Sequence, residues 1–369
     1  MTVLSHPEKR DWLRLARTQN VGPVTFAALV ARFGSATAAL AAVPRLAKRG
    51  GATSFKMPSA DDAEEEFDAL AKLGGVFIAS CEENFPPGLA AIDPPPPILA
   101  VLGNADLLSR EAVAIVGARN ASALGRKFAA TLASELGRTG LMIVSGMARG
   151  IDAAAHEASL GTGTCAVLAG GIDVIYPPEH RALYDRIRAE GAVVSEMPIG
   201  EAPLARHFPR RNRIISGISR GVIVIEAAEN SGSLITATYA LEQGREVFSV
   251  PGSPLDPRSR GTNRLIRQGA TLTESAEDVL EIFRPMMGNA FREPEQTIPG
   301  TTHLASEAEN RETENLRRKI LELLSPSPIT VDDLIQQCCA SAADLLAVLL
   351  ELELAGYAQR QPGNRVSLA

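Results

Sequence analysis

The chain has 369 residues, a formal net charge of −6, and 45% apolar but only 4% aromatic side chains. That length allows two or three domains, one with a large core, and the abundance of Ala, Gly, Val, Leu and Ile suits helices packed closely on a parallel sheet. A membrane-spanning segment is excluded because Arg and Glu interrupt every apolar run, and Cys81, Cys165, Cys338 and Cys339 lack metal-ligand spacing, so structural zinc is not expected. The opening MTVLSHPEKRDWLRLAR has no apolar signal-peptide core, and the expected location is a reducing cytoplasm.

Trp12, Leu13, Leu15 and Ala16 form the apolar side of a helix expected over residues 7–19. Asn20, Val21, Gly22 and Pro23 interrupt it, and further helices are expected over 24–33 and from 36 to 42. This is the pattern of a helix-hairpin-helix or SAM-like module, whose glycine amides can hold a DNA phosphate. The turn carries no Lys or Arg, which favours a plain helical hairpin. A helix over 60–73 carries an acidic run, Asp61, Asp62, Glu64, Glu65 and Glu66, expected to be a solvated face. A short strand is expected over 76–80, extended connections at the prolines of 85–87 and 93–97, and an edge strand over 98–102.

From residue 111 strands and helices alternate. Strands are expected over 112–116, 141–144, 165–168, 192–195, 222–225 and 247–250, with helices over 124–138, up to His156, over 178–189 and over 233–243. Repeated βαβ units give an α/β fold, a doubly wound parallel sheet that binds ligands at the carboxyl ends of its strands. The Gly-, Ser- and Arg-rich loops fall there.

The first such loop, Gly117, Ala118 and Arg119, is not a dinucleotide fingerprint, because Arg119 stands where a second glycine is needed. Nor is it a P-loop: Gly125, Arg126 and Lys127 lack the preceding glycine, and Phe128 replaces Ser or Thr. No cofactor is expected, and an arginine in this loop suits a phosphate chain. Asp152 and His156, four apart, fit acid–base work, half a metal site, or a pair fixing a helix start; with no third ligand nearby the last is favoured and no metal is expected. Glu196 is either a general base or a partner for an arginine. Ser231, Gly232 and Ser233 open a helix as an anion pocket or as an ordinary cap.

Residues 202–225 hold Arg206, Arg210, Arg211, Arg213 and Arg220 around His207 and Phe208, with no acidic residue. Guanidinium forks pair with phosphates and rings stack on bases. A second acid-free stretch, 257–273, holds Arg258, Arg260, Arg264 and Arg267. Two basic stretches in loops at one sheet edge suggest a groove for a nucleic-acid strand rather than a point site for a metabolite. Farther on, 293–314 is polar and expected to be a linker. Helices over 316–324 and 341–355, a helix capped by Thr330 between them, and a strand pair ending at Leu368 make a winged helix. Its acidity argues against strong duplex binding and favours docking to protein.

The blocks VAIVGARNAS, VSGMARGIDAAAH, AVLAGGIDVIYPPEH, VVSEMPIG, HFPRRNRIISGISRGVIVIEAAENSGSLITA and VFSVPGSPLDPRSRGTNRLI, in that order over 85–281, resemble the DNA processing protein A family, DprA or Smf. The resemblance implies an extended Rossmann-like domain over 76–285, a SAM-like module over 1–75, a linker over 286–314 and a winged helix over 315–369. It also implies no catalytic turnover, binding and protection of single-stranded DNA, loading of RecA recombinase during natural transformation, and a homodimer formed through the Rossmann domain. Gly117 and Arg119 would sit at the DNA pocket, Phe208 would stack a base, and Arg210, Arg211 and Arg213 would meet phosphates. Arg149, Arg206, Ser231, Gly232, Ser233 and Arg264 complete the expected DNA-binding set. Ala205 and Arg206 occupy the region where the family often has a lysine, and the first loop is Gly-Ala-Arg where the family often has Gly-Ser-Arg. Arg220 and Arg213 have an alternative role, holding Glu196 or Glu226. The rival function is a nucleotide-processing phosphoribohydrolase-like enzyme on the same fold. Such enzymes carry PGGxGTxxE, and ENSGSLIT at 229–236 lacks the following glutamate.

Overall fold

The protein was analysed as a computed structural model that describes residues 3–52, 54–287, 307–361 and 364–369. In chain order the elements are α1 (His6–Arg17), α2 (Pro23–Phe33), α3 (Ala36–Arg49), α4 (Ala60–Lys72), β1 (Val76–Ala79), α5 (Pro87–Ala90), β2 (Ile98–Gly103), β3 (Ala112–Gly117), α6 (Ala123–Arg138), β4 (Met142–Ser145), α7 (Ile151–Ser159), β5 (Thr164–Val167), α8 (Arg181–Glu190) and β6 (Ala192–Ser195). They continue with α9 (His207–Ile218), β7 (Gly221–Ile225), α10 (Gly232–Glu242), β8 (Glu246–Ser249), α11 (Arg260–Arg267), β9 (Thr271–Leu272), α12 (Ala276–Met287), α13 (Glu307–Leu323), β10 (Ile329–Thr330), α14 (Val331–Cys338), α15 (Ala342–Ala355), β11 (Ala358–Gln361) and β12 (Arg365–Leu368). The chain forms two compact units, one of Met1–Val3 with Glu65–Glu293, the other of Leu4–Glu64 with Pro294–Ala369.

The first unit is built on a nine-stranded sheet of order β1-β2-β6-β5-β4-β3-β7-β8-β9. Neighbours from β6 to β9 run parallel, and β2, antiparallel to both β1 and β6, is the one strand that runs opposite to the rest of this sheet. Successive residues of β3 enter opposite layers: Ala114 and Val116 join the core with Val144 and Val224, while Val113 and Ile115 join the one with Ile143 and Ile223. The pleat dictates this alternation, and helices on both faces make every position apolar. β3 lies between β4 and β7, where the strand order reverses, so the loops after these strands part and leave a crevice.

Several elements depart from the sequence expectation. β2 is not an edge strand: it lies between β1 and β6 and pairs with both. The prolines at 94–97 precede it and leave its own N–H groups free to pair. Pro87 begins the short helix α5 instead of an extended run, since a proline is tolerated in a first helical turn. The basic stretch 257–273 is mostly helix α11, followed by β9, not a loop. Residues 178–189 open with a 3-10 turn, Pro178–His180, before α8 begins.

The second unit joins the helices α1 to α3 to a winged helix made by α13, α14, α15 and a three-stranded sheet of order β10-β12-β11. Thr330 Oγ1 accepts the Asp333 amide at 3.1 Å and Ser341 Oγ accepts the Asp344 amide at 3.1 Å, so both helices have hydroxyl caps. α13 starts at Glu307 and α12 ends at Met287, both inside the stretch expected to be linker; the rest of it, 288–306, lies outside the described residues. No single helix among the described residues is long and apolar enough to cross a membrane.

Candidate nucleic-acid interface

The loops after β3, β4 and β5 meet the first turn of α9 around a cleft of about 520 Å³, its open mouth included. Arg119 follows β3, Gly146 and Arg149 follow β4, and Gly170 and Tyr176 follow β5; α9 supplies Phe208 and Arg211. Phe208 is the centre of this arrangement. The guanidinium carbon of Arg119 stands 5.2 Å from its ring centre and that of Arg211 5.7 Å. Tyr176 meets the same ring edge-on at 5.9 Å and 64°. Cations over an aromatic face are attracted by its quadrupole, and the two guanidinium groups fix the ring while keeping positive charge at the mouth.

Arg211 is only 5% exposed. One of its terminal nitrogens donates to the Val167 carbonyl at 3.3 Å, and its Nε is buried without a hydrogen-bond partner among the described residues. Burial brings its guanidinium down to about 10, opposed by the attraction of Asp152. Asp152 is itself buried, and burial pushes its carboxyl up against the pull of Arg211 and of two amides. Those amides belong to Gly146 and Ala148, at 3.1 and 3.2 Å from Asp152 Oδ2. A Cβ on Gly146 would lie 1.5 Å from Arg211 Nη1 and 2.9 Å from Asp152 Oδ2, so only glycine leaves room for the arginine. Next to it Met147 takes a left-handed backbone, φ 58°, although it is not glycine. Backbone strain of this kind is held where surrounding structure over-determines it.

The expected DNA-binding residues separate into groups. Arg119, Arg149, Phe208 and Arg211 line the cleft. Arg149 also pairs with Glu179, both exposed. Arg206 is exposed at the start of α9, and Arg210 is exposed in its first turn, 3.2 Å from Glu196. Gly117 is not part of the lining: its missing side chain lets β3 meet β7, since a Cβ there would sit 1.8 Å from the Ile225 carbonyl oxygen. Arg213 is turned inward, donating to the Pro94 carbonyl and lying 3.7 Å from Glu196, and burial lowers its guanidinium. Arg220 pairs bidentately with Glu111, neither of the two partners considered for it.

Ser231, Gly232, Ser233 and Arg264 make a second group outside that lining. Ser231 Oγ caps α10 and shares a 2.7 Å hydrogen bond with the Ser233 hydroxyl. Asn212 donates to the Gly232 carbonyl at 3.2 Å and Arg264 to the Glu229 carbonyl at 3.4 Å.

Asp152 and His156 do not act as a pair. His156 shares a 2.8 Å hydrogen bond with Thr164 Oγ1, whose proton goes to the Ile143 carbonyl, so the imidazole Nδ1 is the donor. Glu196 is held by Arg210 and Arg213. No group of three or more His, Cys, Asp or Glu that could hold a metal ion occurs among the described residues. Sequence reasoning missed Tyr176, Gly146 and the supporting role of Asp152. For Tyr176 the signal was an aromatic residue in a Gly- and Pro-rich loop at the carboxyl edge.

Three family models match the chain: DNA recombination-mediator protein A over residues 76–284, a DprA-like N-terminal HHH domain over 6–69, and a DprA winged helix domain over 305–364. A protein Smf from a Synechocystis species is 31% identical over 98% of this chain and 99% of its own length. The DNA processing protein DprA of Bacillus subtilis is 48% identical over 55% of this chain and 70% of its own. The crystal structure of DprA from Streptococcus pneumoniae superposes with a TM-score of 0.61 at 34% identity, covering 76% of this chain and 98% of that one. A DprA structure from Helicobacter pylori, described for its single-stranded DNA binding mode, gives 0.53 at 29% identity, covering 57% of this chain and 96% of that one.

Proposed function

This chain belongs to the DNA recombination-mediator protein A family, and on that footing we propose that its central domain binds and protects single-stranded DNA without chemical turnover. The observation that carries the reading is the Phe208 ring at the cleft with the Arg119 and Arg211 guanidinium carbons 5.2 and 5.7 Å from its centre. Such a site offers a stacking surface to a base and fixed positive charge to the adjoining phosphates, the two means by which single strands are held with little regard to sequence. The rings and guanidiniums that line the cleft are groups that hold a nucleotide, and Asp152, the carboxylate behind them, is occupied by two amides. Arg206 and Arg210 extend the positive surface along the start of α9, and the group at Ser231, Gly232, Ser233 and Arg264 is a second phosphate contact.

The loading of a RecA-type recombinase and a role in natural transformation rest on family membership. A homodimer through the central domain is supported by α10, which presents Ile235 and Leu241 outward, 41% and 63% exposed. The test is binding of oligonucleotides of graded length at several salt concentrations, with and without a RecA-type recombinase. Tight, length-dependent, salt-sensitive binding and faster filament formation are expected; no preference for single strands over duplex would overturn the reading. Incubation with nucleoside monophosphates should release no free base, and release would favour the phosphoribohydrolase-like alternative.

A further inference from the structure

α15 is the second helix of the helix-turn-helix within the winged helix, the position that in DNA-reading relatives of this motif enters the major groove. Here the C-terminal half of that helix is already occupied, while Ala342, Ala343, Asp344 and Leu346 at its start are exposed. Residues 348–354 are all buried, a run longer than one helical turn, so no side of this segment is left for solvent. Leu345, Val348, Leu349 and Leu352 pack into the core of the winged helix with Ile320, Leu334 and Val366. Leu350 and Leu354 point the other way, into the core of the N-terminal helices with Leu15, Phe26, Val43 and Leu46.

Polar contacts fix the same interface. Glu351 and Glu353 are 3% and 4% exposed. Glu351 accepts from Arg317 at 2.6 Å and lies 3.5 Å from Arg49 of α3. Glu353 accepts the Thr25 hydroxyl of α2 at 3.0 Å and pairs with Arg360. Asn20, in the turn between α1 and α2, donates to the Leu354 carbonyl at 3.1 Å and satisfies one of the open acceptors at the end of the helix. Gly50 closes the approach, because a Cβ there would fall 2.1 Å from the Glu351 carbonyl oxygen. α15 carries no Lys or Arg and three acidic residues, Asp344, Glu351 and Glu353. A helix of that charge cannot neutralise phosphates, which supply most of the affinity for a duplex.

We infer that the partner of this recognition-type helix is the N-terminal helical module of the same chain, so that the winged helix locks the two end modules into one body and does not read duplex DNA with it. The glutamates give the joint its specificity: each is buried against a cation or hydroxyl, and removing a partner strands a buried charge.

The test uses the full chain with a specific protease site placed between residues 287 and 307, cut after purification and run on gel filtration. The winged-helix fragment is expected to stay with the remainder. Gly50→Ala, which forces a methyl against the α15 backbone, and Arg49→Glu, which sets like charges together at a partly exposed position, are each expected to weaken retention about tenfold to a hundredfold. Trp12, the single tryptophan of the chain, packs on the core that Leu350 and Leu354 enter, so its emission should shift as the fragment is released, while an unchanged far-ultraviolet circular dichroism spectrum shows the helices of the N-terminal module intact. Separation of the fragment from the otherwise unaltered protein, or equal retention in both variants, would overturn the inference. So would recovery of the fragment on a duplex oligonucleotide in place of the N-terminal module.

Discussion

Arg119, from the loop after β3, stands over the ring of Phe208, from the first turn of α9, with its guanidinium carbon 5.2 Å from the ring centre. On the proposed function the two residues form one surface for an incoming strand. Phe208→Ala is expected to weaken single-strand binding by about 1–3 kcal/mol, the usual worth of one base stacked on an aromatic ring. Arg119→Ala should weaken binding and also flatten its salt dependence, because a phosphate contact is lost. The double variant should lose less than the sum, since each residue positions the other. Fluorescence anisotropy of a labelled oligonucleotide across a salt series measures all three.

Tyr176 closes the aromatic side of the cleft, edge-on to Phe208 at 5.9 Å. Tyr176→Ala is expected to cost single-strand affinity with an unchanged salt slope, and Tyr176→Phe to retain most of it, because the ring and not the hydroxyl meets Phe208. An equal loss in both variants, seen by the same anisotropy measurement, would assign the role to the hydroxyl instead.

Gly146 separates Asp152 from Arg211, and no side chain fits there. Gly146→Ala should displace the Arg211 guanidinium, destabilise the domain by about 1–3 kcal/mol through overpacking, and weaken strand binding. Arg211→Ala should also weaken binding, through loss of the cation over Phe208. Denaturant midpoints and oligonucleotide affinity report on the two effects separately. Arg213→Ala and Arg220→Ala, whose guanidiniums are tied to Glu196 and Glu111, are expected to leave the salt dependence of strand binding unchanged.

His156 is buried without exposure, and its imidazole is held down to about 3 from an ordinary 6.5, first by burial and then by the charges of His180 and Arg211. The unfolded chain thus takes this proton first. The contribution of the neutral ring to stability is full above pH 6.5 and declines as pH falls from 6.5 towards 3, with a slope of at most about 1.4 kcal/mol per pH unit. In His156→Gln that part of the acid slope should disappear. Urea unfolding at pH 7 and pH 5 checks it: the midpoint should fall less between the two in the variant, and an identical fall would contradict the assignment.

Much of this molecule is legible from its residues alone. The alternation of apolar strands with Gly- and Ser-broken helices from Ala112 onwards specifies the doubly wound sheet, because side-chain period and turn chemistry are local properties. Phe208 among arginines, and Arg119 in place of a loop glycine, mark by residue type the edge where the cleft lies. What type does not carry is depth. Arg211 and Arg213 lie on roughly opposite sides of one helix, and their partners from distant segments, Asp152 and Glu196, determine which arginine lies under the cleft and which is turned aside. The position of β2 inside the sheet likewise depends on β1 covering its far side.

The sequence by itself determined the class of fold, the winged helix with its Thr330 cap, and the residue types of the candidate site. Only the tertiary structure decided that Tyr176 joins Phe208, that Gly117 serves packing, and that α15 is buried against α2 and α3 as well as its own domain. The physical reason is the same in each case. Propensity, capping and charge are set by residues a few positions apart, whereas burial and pairing are set by whichever distant segment the packed chain brings alongside.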